Sequence, residues 1–234
     1  RHRQEHYPPD HWAWKLDQTA LSELFVNDLT AGMSAPGENG RPASALSTDG
    51  EPIKAGMLKA GIGYWRISAF EEVTLNAVAS AHSHTGAPVM VHLEFGSAAH
   101  EVLDFLEGRG VDCSSVVLAH MDRNLDVGLH SSLVERGAFL GYDGMARAKG
   151  HSDQALLELT RKVLDIAGGS HIVIGGDVAR ASRYRAYEGM PGLQYLAERY
   201  LPRLRQEIGE KAVSEILVDN PARWLAWKRR SSIG

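Results

Sequence analysis

The segment GAPVMVH (86–92) decides how the chain is expected to fold, because it joins a helix to a buried strand. Its glycine and proline end a helix predicted from Ser68 to about His84, and the apolar run after them closes on His92. Ser68 and Glu71 have the spacing of a capping box at the start of that helix. An apolar run without polar alternation is typical of strands in a parallel sheet, which are covered on both faces.

The same helix–strand unit recurs along the chain. Further apolar strands are predicted at 53–59, 115–120, 138–143 and 171–177. Helices are predicted at about 19–33, 68–84, 100–109, 125–135, 153–167, 192–208 and 211–227. Short strands that alternate with helices indicate an α/β fold, either a barrel or an open, doubly wound sheet. A segment rich in glycine, proline and serine, 34–52, is predicted to be a long loop.

Charge and cysteine content narrow the kinds of partner and compartment. The net charge of −4 and a pI near 6.3 argue against nucleic acid or a membrane surface as the partner. A basic cluster at 228–230 is interpreted as a solvated tail. The single cysteine, Cys113, excludes an intrachain disulfide and fits a reducing cytoplasm. No apolar run approaches the roughly 18 residues that a membrane helix needs.

Four polar residues stand at the carboxyl ends of predicted strands: Lys59, His92, His120 and Asp177. Barrel enzymes assemble their active sites from several strands at this edge, and imidazole and carboxylate groups suit zinc and its neighbours. Taken singly, each histidine could be a core residue, Asp177 a cap, and Lys59 a lysine that extends its ammonium to the surface. Their convergence on one edge favours a metal site, with Lys59 in apolar surroundings that would be costly for an unpaired ammonium.

Two other histidine pairs are rejected as metal sites. His82 and His84 spell an HxH pair, but they lie on a predicted helix, where residues two apart point about 200° from each other. This pair is interpreted as a surface feature. His2 and His6 precede two adjacent prolines in a stretch without apolar periodicity, which is predicted to be a loop.

Six segments of the chain together resemble the phosphotriesterase family of the amidohydrolase superfamily. In order, they are IKAGMLKAG, GAPVMVHLEFG, VVLAHMDRN, GAFLGYDG, IVIGGDVAR and VDNPARWL, and the similarity extends over about 19–227. The resemblance implies a (β/α)8 barrel, the TIM-barrel fold, that holds two divalent metal ions, usually zinc. It also implies a lysine carboxylated by carbon dioxide as the bridge between the two metals.

Carried over by position, the resemblance gives each polar residue a role. Lys59 would be the carboxylated bridge, an anionic ligand in place of a buried cation. His92 and His120 would hold the more exposed metal, and Asp177 would bind the other metal and act as the catalytic proton acceptor. The implied reaction is hydrolysis by a hydroxide held between the metals, without a protein nucleophile.

Departures from the family's pattern narrow the range of candidate substrates. Arg123 and Gly144 stand where the phosphotriesterases proper have a proton-shuttling aspartate and histidine. This disfavours organophosphate hydrolysis, which remains an alternative beside a non-catalytic barrel that binds a ligand. The candidate substrate-binding residues are Arg147, Arg180, Arg183 and Tyr184. Guanidinium groups recognise carboxylate or phosphate, so an anionic lactone, such as a phosphorylated sugar lactone, is the expected substrate unless these arginines form surface pairs.

The extent of the chain also leads to an expectation. About five strands are predicted where the family's barrel has eight, and the family's first-strand HxH pair has no strand-borne counterpart here. We therefore expect residues 1–234 to form one barrel domain that lacks the first three strands and begins near the fourth. The expected protein is cytoplasmic, acts on a small ester or lactone, and could assemble as a homodimer.

Overall fold

The computed structural model describes residues 5, 7–35, 43–147, 149–167 and 171–228. His2, His6, part of the basic cluster (229–230) and part of the predicted loop (36–42) lie outside the described residues. A short 3₁₀ turn, Trp12–Lys15, precedes helix α1 (Gln18–Thr30). Two short antiparallel strands follow, β1 (Ser34–Ala35) and β2 (Ala43–Ser44), in a stretch predicted to be a loop.

The centre of the fold is a five-stranded sheet in which every pairing is parallel and the strands lie in chain order. Its strands are β3 (Leu58–Ile62), β4 (Val89–Leu93), β5 (Val116–Ala119), β6 (Phe139–Tyr142) and β7 (Ile172–Ile174). The prediction of an α/β fold with a parallel sheet is therefore confirmed. Four of the predicted strands are in place, three with shorter bounds and β4 ending one residue after His92, whereas the strand predicted at 53–59 forms later in the chain.

Helices connect and follow these strands. They are α2 (Ala69–Thr85), α3 (Ala99–Glu107), α4 (Val127–Glu135), α5 (Asp153–Ala167), α6 (Leu201–Ser214) and α7 (Asn220–Leu225), with π-helical turns at Leu196–Tyr200 and Glu215–Asp219. The break predicted near residue 210 occurs at Gly209, whose φ of 82° lies in the left-handed region inside α6. None of the helices in the described ranges combines the length and the apolar character that crossing a membrane requires.

The capping box predicted for α2 is present. The Ser68 side chain accepts a hydrogen bond from the Glu71 amide, and the Glu71 carboxylate accepts one from the Ser68 amide at 2.7 Å. At the other end, Gly86 adopts φ 73° and donates its amide to the His82 carbonyl at 2.7 Å. The helix therefore begins and ends where the sequence indicates.

Side chains along the strands point alternately to the two faces of the sheet. On one face, residues such as Leu58, Val91 and Leu118 pack in the large core beneath the helices. The opposite face, which we call the open face, carries Met90 and His92. Its amino-terminal end is covered by a small apolar cluster of Val117, Phe139, Val173 and Trp224, with Met57 and Met90 packed against it. The indole of Trp224 donates to the Val89 carbonyl at 3.3 Å, so α7 closes this end.

Candidate active site

Two predicted histidines lie side by side at the carboxyl edge of the sheet. His92 is the fourth residue of β4, and His120 directly follows β5. Because His92 pairs with Ala119, the residue before His120, the two histidines are adjacent across the strands. The two rings meet edge to face with centroids 4.5 Å apart. His120 has φ 65°, a left-handed conformation that is uncommon for a residue with a side chain and is often found at functional sites.

A carboxylate that we did not assign to the site, Asp143, holds His120 in place. The Nδ1 atom of His120 lies 2.7 Å from Oδ1 of Asp143, which follows β6. This distance is shorter than the roughly 3.3 Å expected between two ligands of one tetrahedral ion with bonds near 2.05 Å. The contact is therefore a hydrogen bond from Nδ1–H, which leaves Nε2 as the nitrogen able to bind a cation. The sequence signal for Asp143 was present, since it ends a predicted strand as Asp177 does.

A second buried carboxylate, Asp122, holds the backbone at Asp143. Its Oδ2 atom accepts the backbone N–H groups of Asp143 at 2.9 Å and Gly144 at 2.6 Å. Burial, and next the nearby charge of Asp143, raise the pKa of Asp122 to about 6. A Cβ atom on Gly144 would lie 2.9 Å from Asp122 Oδ2, so a larger residue at this position would require the Asp122 carboxylate to shift.

Asp177 lies beyond β7 and is surrounded by guanidinium groups. Its carboxylate pairs with Arg147 in a short contact and with Arg123 at 3.8 Å. Arg147 also donates to the backbone carbonyls of Asp143 at 3.2 Å and Asp177 at 3.3 Å, while Arg183 donates to the Asp177 carbonyl at 3.4 Å. Two of the candidate substrate-binding residues, Arg147 and Arg183, therefore lie next to the strand-end carboxylate Asp177.

His120, Asp143 and Asp177 form a group able to hold a metal. They offer ligand atoms that all lie within 4.8 Å of one another. The pKa of His92 is lowered, chiefly by burial, which favours the neutral imidazole that metals require. Glu94, which we did not single out from the sequence, places a carboxylate oxygen 3.2 Å from His92 Nε2. The donor set of imidazoles and carboxylates suits zinc and similar divalent ions.

The position predicted for Lys59 was wrong in two respects. Lys59 is the second residue of β3 rather than the last residue of a strand, and its side chain is exposed rather than buried. The strand begins late because Ile53, within the predicted strand, bonds instead to the backbone of Met33 and Ala45. Protein atoms still surround enough of Lys59 for desolvation to lower its pKa, while the charges of Asp143 and Asp177 act in the opposite direction. Lys59 is therefore within electrostatic reach of both carboxylates.

One cavity of about 910 Å³ brings together His92, His120 and Asp177, whereas Lys59 and Asp143 are not among its lining residues. It is lined by the histidines and Asp177, and also by the basic residues Arg123, Arg147, Lys149, Arg180 and Arg183. Burial, and next the charge of Arg147, lower the pKa of Arg183, so these cations crowd one another. Tyr184 donates its hydroxyl to the Val178 carbonyl at 2.6 Å and does not line this cavity. Of the four candidate substrate-binding residues, three face the cavity and Tyr184 does not.

The HxH pair on α2 is engaged elsewhere. The ring of His82 contacts the Ala87 carbonyl at 2.8 Å and the ring of His84 contacts the Ser80 carbonyl at 2.8 Å. His84 is exposed as expected for a surface feature, but His82 is buried, because it reaches over the helix end toward β4. Neither ring belongs to the cavity described above.

Comparison with known proteins identifies the family. The sequence model of the phosphotriesterase family matches residues 44–225. The chain belongs to this family of hydrolases. It is 31% identical over 226 residues to a phospho-furanose lactonase of Mycoplasmopsis synoviae, covering 94% of this chain and 63% of that protein. It is 30% identical to an N-acetyltaurine hydrolase of Tetraodon nigroviridis, covering 92% of this chain and 60% of that protein.

A solved structure agrees with this placement. The crystal structure of a lactonase from Listeria monocytogenes superposes with a TM-score of 0.81 at 34% sequence identity, covering 94% of this chain and 64% of the other. The chain thus spans less than two thirds of the length of these relatives.

Proposed function

We propose that this protein is a metal-dependent hydrolase that opens an anionic lactone, with a phosphorylated furanose lactone as the substrate class. The observation that carries the proposal is a single cavity in which His92, His120 and Asp177 lie beside several arginines. The similarity to a phospho-furanose lactonase and to a lactonase of solved structure supports the same reaction. The five parallel strands would then be part of a (β/α)8 barrel, whose active site lies at the carboxyl edge of the strands.

The residues present fit a site for divalent metal. His92 and His120 would supply imidazole nitrogens, Asp177 a carboxylate, and Lys59 a carbamate oxygen after reaction with carbon dioxide. Carboxylation joins the neutral amine to CO2 and releases one proton, so the lowered pKa of Lys59 favours it. Zinc is the ion we propose, on the basis of this donor set. A divalent metal in such a site polarises the scissile carbonyl and makes water a stronger acid.

The protein's own residues would prepare the site for this chemistry. Asp143 holds the proton of His120 at Nδ1, which fixes both the tautomer and the ring orientation. Asp177 would accept the proton that the attacking water loses, at a carboxylate oxygen now paired with Arg147. Asp122 holds the segment at Asp143 and Gly144 through two backbone bonds. These contacts fix the positions of the carboxylates before a substrate enters.

The basic side of the cavity would bind the anionic group of the substrate. Arg123, Arg147, Lys149, Arg180 and Arg183 all line it. Their mutual repulsion is relieved when an anion enters, and guanidinium groups bind phosphate through paired hydrogen bonds. The same cluster would accept other anions, so an amide substrate with an anionic tail belongs in the test. A cytoplasmic location and a homodimeric assembly are further parts of the proposal.

The experiment measures metal content and hydrolysis in the purified protein. We expect at least one zinc per chain, and preference for a phosphorylated furanose lactone over its unphosphorylated form, a paraoxon-like triester and N-acetyltaurine. Replacing His120 by Ala should lower the metal content, and Asp177→Asn should lower kcat by about 100- to 10,000-fold. The matched control is His84→Ala, since His84 is an exposed histidine outside the cavity.

Three outcomes would contradict the proposal. Less than one metal per chain, together with unchanged activity in the His120 variant, would exclude a metal site at this edge. Hydrolysis of N-acetyltaurine or of the triester in preference to the lactone would replace the substrate class. Tight binding of the phosphorylated lactone without turnover would instead indicate a non-catalytic binding protein.

A further inference from the structure

Three aromatic side chains form an exposed cluster at the edge of the cavity. Tyr64, Trp65 and Phe95 are 61%, 71% and 57% exposed. The ring of Tyr64 lies 5.6 Å from that of Trp65 and 6.1 Å from that of Phe95, centroid to centroid. We call these three residues the aromatic platform. A contiguous patch of exposed apolar groups often marks a ligand-binding groove or an interaction site.

The platform belongs to the same edge of the sheet as the candidate active site. Tyr64 and Trp65 follow β3, and Phe95 lies three residues after His92. Phe95 lines the cavity together with the two strand-end histidines. The platform therefore extends the cavity outward on the side of β3 and β4, whereas Arg147, Arg180 and Arg183 occupy segments that follow β6 and β7.

At two of the three platform residues the backbone has an unfavourable conformation. Trp65 has φ 76° and Phe95 has φ 54°, both in the left-handed region that residues with side chains seldom adopt. Ser97 links the two loops, because its Oγ atom accepts the Trp65 amide at 2.9 Å and donates to the Glu94 carbonyl at 2.6 Å. Such strain is found at ligand-binding sites, and the mostly exposed rings gain little burial in the fold that would offset it.

We propose that the aromatic platform binds the part of the substrate that lies away from its anionic group. The inference rests on the proposed function and specifies its substrate further: an anionic ester with an apolar face, such as the C–H face of a ring or a hydrocarbon substituent. The anionic group binds among the arginines, and the apolar face packs across the rings of Phe95, Tyr64 and Trp65. Aromatic rings favour such flat apolar groups.

The test uses two phosphate monoesters that share the anionic group. Phenyl phosphate presents an apolar ring, and glycerol 1-phosphate does not. In calorimetric titrations of the unsubstituted protein, we expect phenyl phosphate to bind roughly tenfold more tightly. In Phe95→Ala and in Trp65→Ala the two affinities should lie within about twofold of each other, with little change for glycerol 1-phosphate. The matched control is Ile166→Ala, an exposed apolar residue on α5, which should keep the tenfold preference.

A third variant separates binding from folding. Phe95→Gly removes the ring and allows the φ of 54° at no steric cost, so its Tm should equal or exceed that of the unsubstituted protein while the preference for phenyl phosphate is lost. A lowered Tm in Phe95→Gly, similar to the loss of a packed core residue, would show that the ring has a structural role and would overturn the inference.

Other results would also overturn it. These are equal affinities for the two monoesters in the unsubstituted protein, binding of neither, or a preference that survives both alanine substitutions. Failure of the proposed function would be seen separately. A protein that prefers phenyl phosphate through Phe95 but hydrolyses no lactone has the platform without the proposed reaction, whereas lactone hydrolysis without the preference excludes the platform.

Discussion

The two ends of the open face differ in a way that separates stability from chemistry. At the amino-terminal end, Val117, Phe139 and Val173 pack against Trp224 in a closed apolar cluster. At the carboxyl-terminal end of the same strands, His92 and the residues that follow β5 and β7 line an open, polar cavity. Side chains that alternate onto the open face therefore form both the apolar cluster at one end and part of the cavity lining at the other. A substitution at the first end should change the free energy of unfolding, and one at the second should change ligand binding.

The largest effect is expected at the amino-terminal end. Trp224 is 6% exposed, so Trp224→Ala should lower the free energy of unfolding by about 3–5 kcal/mol through the loss of buried area and the cavity left behind. Urea denaturation measures the change. Trp227→Ala is the matched control, because Trp227 is 36% exposed and its indole donates a hydrogen bond to the Gly56 carbonyl. It should cost about 1 kcal/mol. Equal losses in the two variants would contradict the division between the two ends.

At the carboxyl-terminal end the expected effect is on metal affinity. Asp143→Ala removes the acceptor of the His120 Nδ1 proton and should weaken zinc binding about 10- to 100-fold, which corresponds to about 1.4–2.7 kcal/mol. Titration against a competing chelator measures it. Asp126→Ala is the control, since this carboxylate caps α4 by accepting the Leu129 amide at 3.1 Å. The control should lose about 1 kcal/mol of stability but no zinc affinity. Unchanged affinity in Asp143→Ala would remove Asp143 from the site.

The buried residue His130, on α4, predicts how the free energy of unfolding depends on pH. His130 is buried on α4, its Nδ1 lies 2.6 Å from the Tyr142 hydroxyl, and burial lowers its pKa to about 4. Between pH 6.5 and 4 the unfolded chain binds a proton that the folded protein excludes, so stability falls as the pH falls. From pH 7.5 to pH 5 this histidine should cost about 2 kcal/mol.

The measurement is urea unfolding of the metal-free protein and of His130→Asn at both pH values. The variant should lose about 2 kcal/mol less than the unsubstituted protein over this range. The pKa of Asp122, raised to about 6, contributes with the opposite sign in both proteins, so the difference between them isolates His130. Identical losses would show that the burial of His130 does not oppose its protonation.

Where the sequence predicted the fold, the information was local. The apolar runs that end at His92 and precede His120, and the capping pair at Ser68 and Glu71, depend on neighbours in the chain, and the structure contains all of them. The start of β3 could not be found in this way. Residues near Ile53 have the composition of a strand, but their backbone groups bond to Met33 and Ala45, earlier in the chain, instead of to a strand of the five-stranded sheet.

Sequence reasoning led us to expect His92, His120 and Asp177 at one edge of the sheet, and these three line one cavity, but their contacts were not predicted. Strand-end positions revealed His92, His120 and Asp177, because parallel strands bring their carboxyl ends to one edge. The pairing of His120 with Asp143, the close approach of Asp122 to Gly144, and the aromatic platform depend on distances between separate strands. No pattern within one segment of the sequence specifies such distances.

The smallest effect tests whether the carboxyl-terminal end contributes to stability at all. Ser68 begins α2 there, and its partner Glu71 also accepts the Gly63 amide at 2.5 Å, next to Tyr64 of the platform. Ser68→Ala should therefore cost about 1 kcal/mol by urea denaturation, less than Trp224→Ala, while Ser68→Thr keeps the cap and should cost less. A loss as large as that of Trp224→Ala would mean that the loop after β3 belongs to the stable core. In that case both ends of the open face would contribute to the free energy of unfolding, and residues at the edge of the cavity could not be replaced without loss of structure.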